Sequence, residues 1–201
     1  MRFFHPRAQR AELPPAVISA LDLAKGERVL AFGVDDLTGG YVVATTYALA
    51  VVKLGAVTLD GVTSDGVKLD GVTSDGVTSD AERTLRRRWL SVDAGAWEPE
   101  TATLAVTWAD GGRGEQWSFR DQQTRLPETL RERVQASVVL ATRLTLLDRR
   151  SGRVAIRQDF ATRELISQTI LGRYTRADDP EVQAHVRAAL AHLRDQVGLP
   201  A

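Results

Sequence analysis

The sequence predicts an α+β protein built on antiparallel sheets, and three observations support this class. Short runs rich in β-formers alternate between two faces and are separated by turns rich in Gly and Asp. Helical spacing of apolar residues is confined to segments near the start, the middle and the end of the chain. The strand-like runs follow one another directly, so the order lacks the βαβ alternation that parallel sheets require.

The first half of the chain predicts a helix and then a strand meander. Pro14 and Pro15 suit the first positions of a helix, and Gly26 is placed to end it. Two β-rich runs then flank a turn of two aspartates and two glycines within 35–40. The second run has the period of two that is typical of a strand. One face of that run is predicted to carry Val43, Thr45, Tyr47 and Leu49.

The second half predicts a hairpin, two helices and further short strands. Residues 83–97 have the pattern of strand, turn and short strand, and 101–121 form the clearest hairpin, with its turn at 109–112. A helix is predicted over 127–141. A change of composition near residue 141 then begins three short strands. The last helix is predicted to start after Asp179, a good N-cap, and to end at Gly198.

Residues 27–141 resemble a pleckstrin-homology (PH) type barrel, in the broad sense that includes GRAM-like and bacterial variants. The segment GGYVVATTYALAVV at 39–52 is similar to the glycine, strand, threonine, strand pattern of the second and third strands in those domains. The meander that closes with one helix at 127–141 is similar to their capping helix. The resemblance implies an antiparallel PH-like β-barrel with a capping helix over 27–141, after a segment at 1–26 with a short helix. A small C-terminal unit of three strands and one helix follows at 142–201.

A second resemblance covers nearly the whole chain. The segments ERVLAFG, RWLSVDAGAW and LPETLRERVQASVVL are similar to an uncharacterised protein family of actinobacteria. This resemblance implies no activity, cofactor or ligand.

A five-residue repeat interrupts the predicted meander at 58–80. Neighbouring aspartates of the repeat would lie about 16 Å apart on an extended chain, so each would need its own turn to share a calcium ion. A pentapeptide solenoid needs several coils to bury a core, and this stretch supplies about one. We therefore interpret the repeat as a tandem expansion in a surface loop, with calcium binding as the alternative. Its aspartates are Asp60, Asp65, Asp70, Asp75 and Asp80.

Composition excludes several classes of function. Lys+Arg and Asp+Glu are both 26, giving a formal net charge of zero, whereas a general nucleic-acid binder usually has a basic excess. The chain has no cysteine, so thiol catalysis, thiolate metal sites and disulfides are excluded. The first 15 residues lack the apolar core of a secretory signal, and the apolar stretch at 41–57 is too short and interrupted to span a membrane. We expect a cytoplasmic protein that binds no nucleic acid and needs no cofactor.

Candidate functional residues are few. The sequence holds neither a G-x-S-x-G nor an H-E-x-x-H motif. His185 and His192 would lie about 10 Å apart along the last helix, too far to share a metal ion. The candidate contacts for an anionic partner are the arginines that follow the acidic repeat, with a solvated strand face as the alternative. They are Arg83, Arg86, Arg87 and Arg88, over which the repeat could fold back as a loose, salt-sensitive shield.

These features favour an interaction or regulatory module without catalytic activity, whose partner is another protein or an acidic ligand. One alternative is a small-molecule-binding protein or enzyme with a site between the two units, and another is a binder of anionic lipid surfaces. Four tryptophans fall within 89–117. They are predicted to belong to the core, with an aromatic platform for a peptide as the alternative.

Overall fold

A computed structural model describes residues 12–54, 81–147 and 149–199, with the side chains of 81–84 outside the description. Within these residues the chain forms ten strands in three antiparallel sheets, together with three helices, so the predicted α+β class is confirmed. The repeat at 58–80 lies outside the described residues. The loop, calcium and shield interpretations therefore stay predictions.

The first sheet is a four-stranded meander in the order β1-β2-β3-β4. Its strands β2 and β3 are joined by a tight turn at Thr46 and Tyr47, where the Thr45 hydroxyl accepts a hydrogen bond from the Ala48 amide at 2.9 Å. The bounds are β1 (Val29–Val34), β2 (Tyr41–Thr45), β3 (Ala48–Leu54) and β4 (Ala81–Arg88).

Because of this turn, the prediction that Val43 and Leu49 lie on one face of a single strand is wrong. Val43 pairs with Ala50 across the turn, whereas Leu49 pairs with Ala44 on the opposite face of the sheet. A two-residue turn reverses the chain without interrupting the alternation of apolar residues. The sequence pattern therefore does not show that one strand ends and the next begins at this turn.

The second and third sheets each have three strands. The second sheet has the order β5-β6-β7 and the third has the order β10-β9-β8. A short 3₁₀ helix, Trp89–Ser91, connects β4 to β5, as the predicted strand, turn and strand require. The strands are β5 (Val92–Glu98), β6 (Thr103–Trp108), β7 (Glu115–Ser118), β8 (Val138–Arg143), β9 (Gly152–Gln158) and β10 (Leu165–Leu171).

The three helices are α1 (Pro15–Leu21), α2 (Leu126–Ser137) and α3 (Pro180–Gln196). The N-cap prediction for α3 is confirmed, because the Asp179 carboxylate accepts a hydrogen bond from the Glu181 amide at 2.9 Å. The predicted extent of the middle helix to residue 141 is wrong. The chain leaves the helix at Ser137, and the β-branched Val138 and Val139 begin β8, which pairs with β9.

Three apolar clusters hold the layers together. The main core lies between the first sheet, the second sheet and α2, and includes Trp89, Leu104, Trp108 and Leu130. A second cluster packs α1 on the other face of the first sheet, and a third packs α3 on the third sheet. Because the first sheet is covered on both faces, β2 and β3 are almost continuously apolar.

The two N-terminal sheets meet at one end through the β1–β2 turn. The Asp36 amide donates to the Ser118 carbonyl at 2.9 Å, and the Ser118 amide donates to the buried Asp35 carboxylate at 3.0 Å. The strands that the structure describes remain in three separate sheets and close no barrel. The PH-like barrel is therefore not confirmed.

The third sheet is anchored to the first two through Arg157 of β9, whose exposed fraction is 2%. Its guanidinium donates to the carbonyls of Trp89, Leu90 and Val92 at 2.7–2.9 Å and twice to the Ser137 hydroxyl. Burial lowers the pKa of Arg157 to about 10, so the group stays charged at neutral pH. The predicted boundary at 141/142 falls within β8, and the division into domains stays a prediction.

Candidate functional site

The arginines that were predicted to contact an anionic partner lie on β4, and the structure gives three of them acidic partners within the chain. Arg86 Nη2 lies 2.5 Å from Glu27, whose side chain is fully buried, and Arg86 Nη1 donates to the Leu21 carbonyl at the end of α1. Arg88 Nη1 lies 2.5 Å from the buried Asp159 carboxylate in the β9–β10 turn. These two arginines therefore join β4 to α1 and to the third sheet.

Arg87 is held on the other face of β4. Its guanidinium contacts Asp110 in the β6–β7 turn at 2.6 Å and lies over the Trp108 ring, 4.6 Å from the centroid. A hydrogen bond from the Gly112 amide and the Arg87 guanidinium lower the pKa of the Asp110 carboxyl. An anionic partner would have to compete with all three internal ion pairs. The anionic-contact prediction stays untested, and the side chain of Arg83 lies outside the described residues.

Glu27 shows how fully these ion pairs are built into the fold. Burial raises the pKa of this carboxyl, but hydrogen bonds from the Thr45 hydroxyl, the Ala24 amide and Arg86 together hold the pKa below its ordinary value. Glu27 is therefore a charged anchor between the segment before β1, the β2–β3 turn and β4.

A groove of about 460 Å³ lies between strand β5 and helix α2. We call it the β5–α2 groove. Its strand side is formed by Asp93, Ala94, Gly95 and Trp97, with Leu104 of β6 beneath, and its helix side by Pro127, Leu130, Arg131, Val134 and Gln135.

Glycine at position 95 is what allows the strand and the helix to approach each other here. A Cβ atom at Gly95 would lie 2.2 Å from Cδ2 of Leu130, a buried residue of the main core. Leu130 therefore packs directly on the β5 backbone. The groove continues along the strand on either side of this contact.

The edge of β5 is exposed along this groove. In its sheet β5 pairs with β6 alone among the described strands, and residues 94–98 are exposed. The Trp97 ring is 38% exposed and forms the apolar wall at one end. The other three tryptophans, Trp89, Trp108 and Trp117, are buried. The prediction that the tryptophans belong to the core therefore holds for these three and not for Trp97.

Of the two charged residues that line the groove, Asp93 has an ion-pair partner among the described residues and Arg131 has none. Asp93, at the end opposite to Trp97, forms an ion pair with Arg153 of β9. Arg131 is exposed on the first turns of α2, and no ion pair of its guanidinium is found in the part of the chain that the structure describes. The groove therefore combines an apolar wall, an exposed strand edge and one available cation.

The histidines of α3 do not approach each other. His185 Nδ1 lies 2.9 Å from the Glu181 carbonyl, and His192 Nε2 lies 3.0 Å from the Gln196 amide nitrogen. Among residues 12–54, 81–147 and 149–199 there is no group of three or more His, Asp or Glu side chains that could hold a metal ion.

Sequence reasoning placed Trp97 within an aromatic cluster but missed the rest of the groove. Its residues are brought together by the packing of α2 on β5, and they form no motif in the sequence. Gly95, between Ala94 and Ala96, carried the one local signal, because an isolated glycine in a strand often marks a close approach.

Among the helices that the structure describes, none has the length and apolarity needed to cross a membrane. Comparisons with protein families, with curated proteins and with solved structures found no match for this chain.

Proposed function

We propose that this protein is an interaction module that binds an extended segment of a partner protein along the β5–α2 groove. The observation that carries the proposal is the exposed edge of β5 beside a groove with the half-exposed Trp97 at one end. An extended peptide can add to such an edge as a further strand. Main-chain hydrogen bonds then supply affinity, and side-chain contacts supply specificity.

The lining of the groove defines the chemistry of the segment it would hold. An apolar side chain of the partner would pack on Trp97 and Pro127, where aromatic surface is available. An acidic side chain of the same segment would meet the exposed Arg131. The proposed partner is therefore an extended segment that carries one apolar and one acidic anchor.

The arrangement of the fold supports a PH-like scaffold as part of this proposal. Seven strands and then one helix follow in chain order and contribute to one main core, consistent with the meander closed by one helix that the sequence resemblance implies. Membership of an actinobacterial family remains a prediction from the sequence.

Binding to an anionic lipid surface is the weaker alternative. Arg86, Arg87 and Arg88 already have acidic partners within the chain. These ion pairs reduce the attraction of the three arginines to a negatively charged membrane.

The test is selection from a displayed library of random twelve-residue peptides on the full chain, followed by affinity measurement of the enriched peptides. We expect peptides with the two anchors, and we expect Trp97→Ala to weaken their binding at least about tenfold, as for a central aromatic contact. Arg131→Glu should weaken binding of the acidic peptides in the same assay.

Two exposed residues away from the groove provide matched controls. Tyr174 is 64% exposed, and Arg187 lies on the exposed face of α3, so Tyr174→Ala and Arg187→Glu should leave affinity unchanged. The proposal is wrong if no peptide is enriched, or if Trp97→Ala and Tyr174→Ala variants bind the enriched peptides equally well.

A further inference from the structure

A second pocket, of about 290 Å³, lies where three parts of the chain meet. We call it the arginine pocket. The segment before β1 and the β2–β3 turn form one side, α2 forms another, and the β9–β10 turn closes it. Its lining residues are Gly26, Arg28, Thr46, Tyr47, Arg133, Phe160 and Arg163.

The charged residues that line this pocket are all arginines. No ion pair of Arg28, Arg133 or Arg163 is found among the residues that the structure describes. Two buried carboxylates that adjoin pocket residues in the chain, Glu27 and Asp159, are engaged elsewhere. Glu27 binds Arg86, and Asp159 binds Arg88.

Two of the three arginines are held in place by the fold. The Arg133 guanidinium lies over the Phe160 ring, 4.6 Å from its centroid, and Phe160 packs against the main core. This stacking restrains the side chain of Arg133 while its donors stay available at the ring edge.

The β9–β10 turn that carries Arg163 is also built rigidly. The buried Asp159 carboxylate accepts hydrogen bonds from Arg88 Nη1 and from the Ala161 amide, and the Arg163 amide donates to the Asp159 carbonyl at 2.8 Å. Arg163 therefore has a fixed backbone position at the rim of the pocket.

The backbone of Arg163 adopts a conformation that favours glycine. Its φ is 67°, in the left-handed region, where any residue other than glycine is strained. An arginine at this position is a local disadvantage for folding, and it adds a third arginine to the lining of the pocket. A binding role accounts for both facts.

We propose that the arginine pocket binds the dianionic phosphate group of a phosphate monoester. Arg28, Arg133 and Arg163 all line this one pocket, and arginine donors match phosphate oxygens in charge and in geometry. The Tyr47 and Phe160 rings supply an apolar surface for the group that carries the phosphate. This site is separate from the β5–α2 groove and does not depend on peptide binding there.

The test is a titration of the isotopically labelled full chain with phenyl phosphate and with inorganic phosphate, followed by NMR. Ionic strength is held constant with chloride. We expect chemical-shift changes that saturate with ligand concentration for the amides of residues 26–28, 46–47 and 160–163.

A second experiment uses phosphatidylcholine vesicles with and without phosphatidic acid, because the headgroup of this lipid offers the same phosphate monoester. Binding of phenyl phosphate without vesicle binding identifies a soluble ligand, and binding of both identifies a lipid headgroup.

Arg163→Gly separates binding from folding, because glycine suits the left-handed backbone. We expect phenyl phosphate affinity to fall about tenfold while the melting temperature stays equal or rises. Arg133→Gln should weaken binding to a similar degree, and the exposed Arg187→Gln on α3 should leave it unchanged. The proposal is overturned if chloride alone reproduces the shifts, if the shifts do not saturate, or if Arg163→Gly binds phenyl phosphate as the unmodified chain does.

Discussion

Replacing Arg157 by methionine keeps an unbranched apolar stem but removes the guanidinium and its five N–H donors from a site that is 2% exposed. The carbonyls of Trp89, Leu90 and Val92 and the Ser137 hydroxyl then lose a donor. A buried polar group left without a partner costs about 1–3 kcal/mol. Relief of the buried charge offsets part of this loss.

The remaining partners of these acceptors reduce the expected effect. The Leu90 carbonyl keeps its bond from Gln168, and the Trp89 carbonyl keeps its bond from the Val92 amide. We therefore expect Arg157→Met to lower the free energy of unfolding by about 2–4 kcal/mol.

The measurement for Arg157→Met is urea unfolding followed by far-UV circular dichroism, with the midpoint and slope compared with those of the unmodified chain. Arg176 pairs with Asp178 on the surface, so Arg176→Met should change stability by no more than about 0.5 kcal/mol. A loss below about 1 kcal/mol for Arg157→Met would refute the claim that this side chain anchors the third sheet.

Three further predictions follow from the packing and the ion pairs. Gly95→Ala should destabilise the chain by about 1–3 kcal/mol through its contact with Leu130, and a double-mutant cycle with Leu130→Ala should show strong non-additivity. Trp89→Phe should cost about 1–3 kcal/mol in urea unfolding, because the Trp89 indole donates to the Thr45 carbonyl at 2.9 Å in the core. The folded-state pKa of Glu27 lies below its ordinary 4.5, so its contribution is present above that pH and is lost as the pH falls through the folded-state pKa. Glu27→Gln should therefore be less stable at neutral pH and lose less stability on acidification, and an equal slope in both proteins would contradict this.

Local signals in the sequence predicted the elements whose ends are fixed by nearby residues. Helix α3 begins where Asp179 can cap it, and the hairpin of β6 and β7 turns around the predicted segment 109–112. In both cases the residues that define the element lie within a few positions of it.

Long-range packing explains what the sequence did not reveal. Helix α2 ends at Ser137 because the residues from Val138 to Arg143 form β8 and pair with β9. Strand β9 begins more than ten residues after Val138 in the sequence. Arg86, Arg87 and Arg88 resemble a solvated basic run, but their carboxylate partners come from three separate turns and loops. The β5–α2 groove likewise depends on a helix packing on a strand that is distant in sequence.

Hydrogen exchange of the full chain, with and without a peptide enriched on the β5–α2 groove, tests the central claim most directly. An added strand would bond to the edge amides of β5, which has β6 as its one partner among the described strands, so the account predicts slower exchange within residues 93–98 when the peptide is bound. Slower exchange confined to other elements, with residues 93–98 unchanged, would contradict strand addition at this edge.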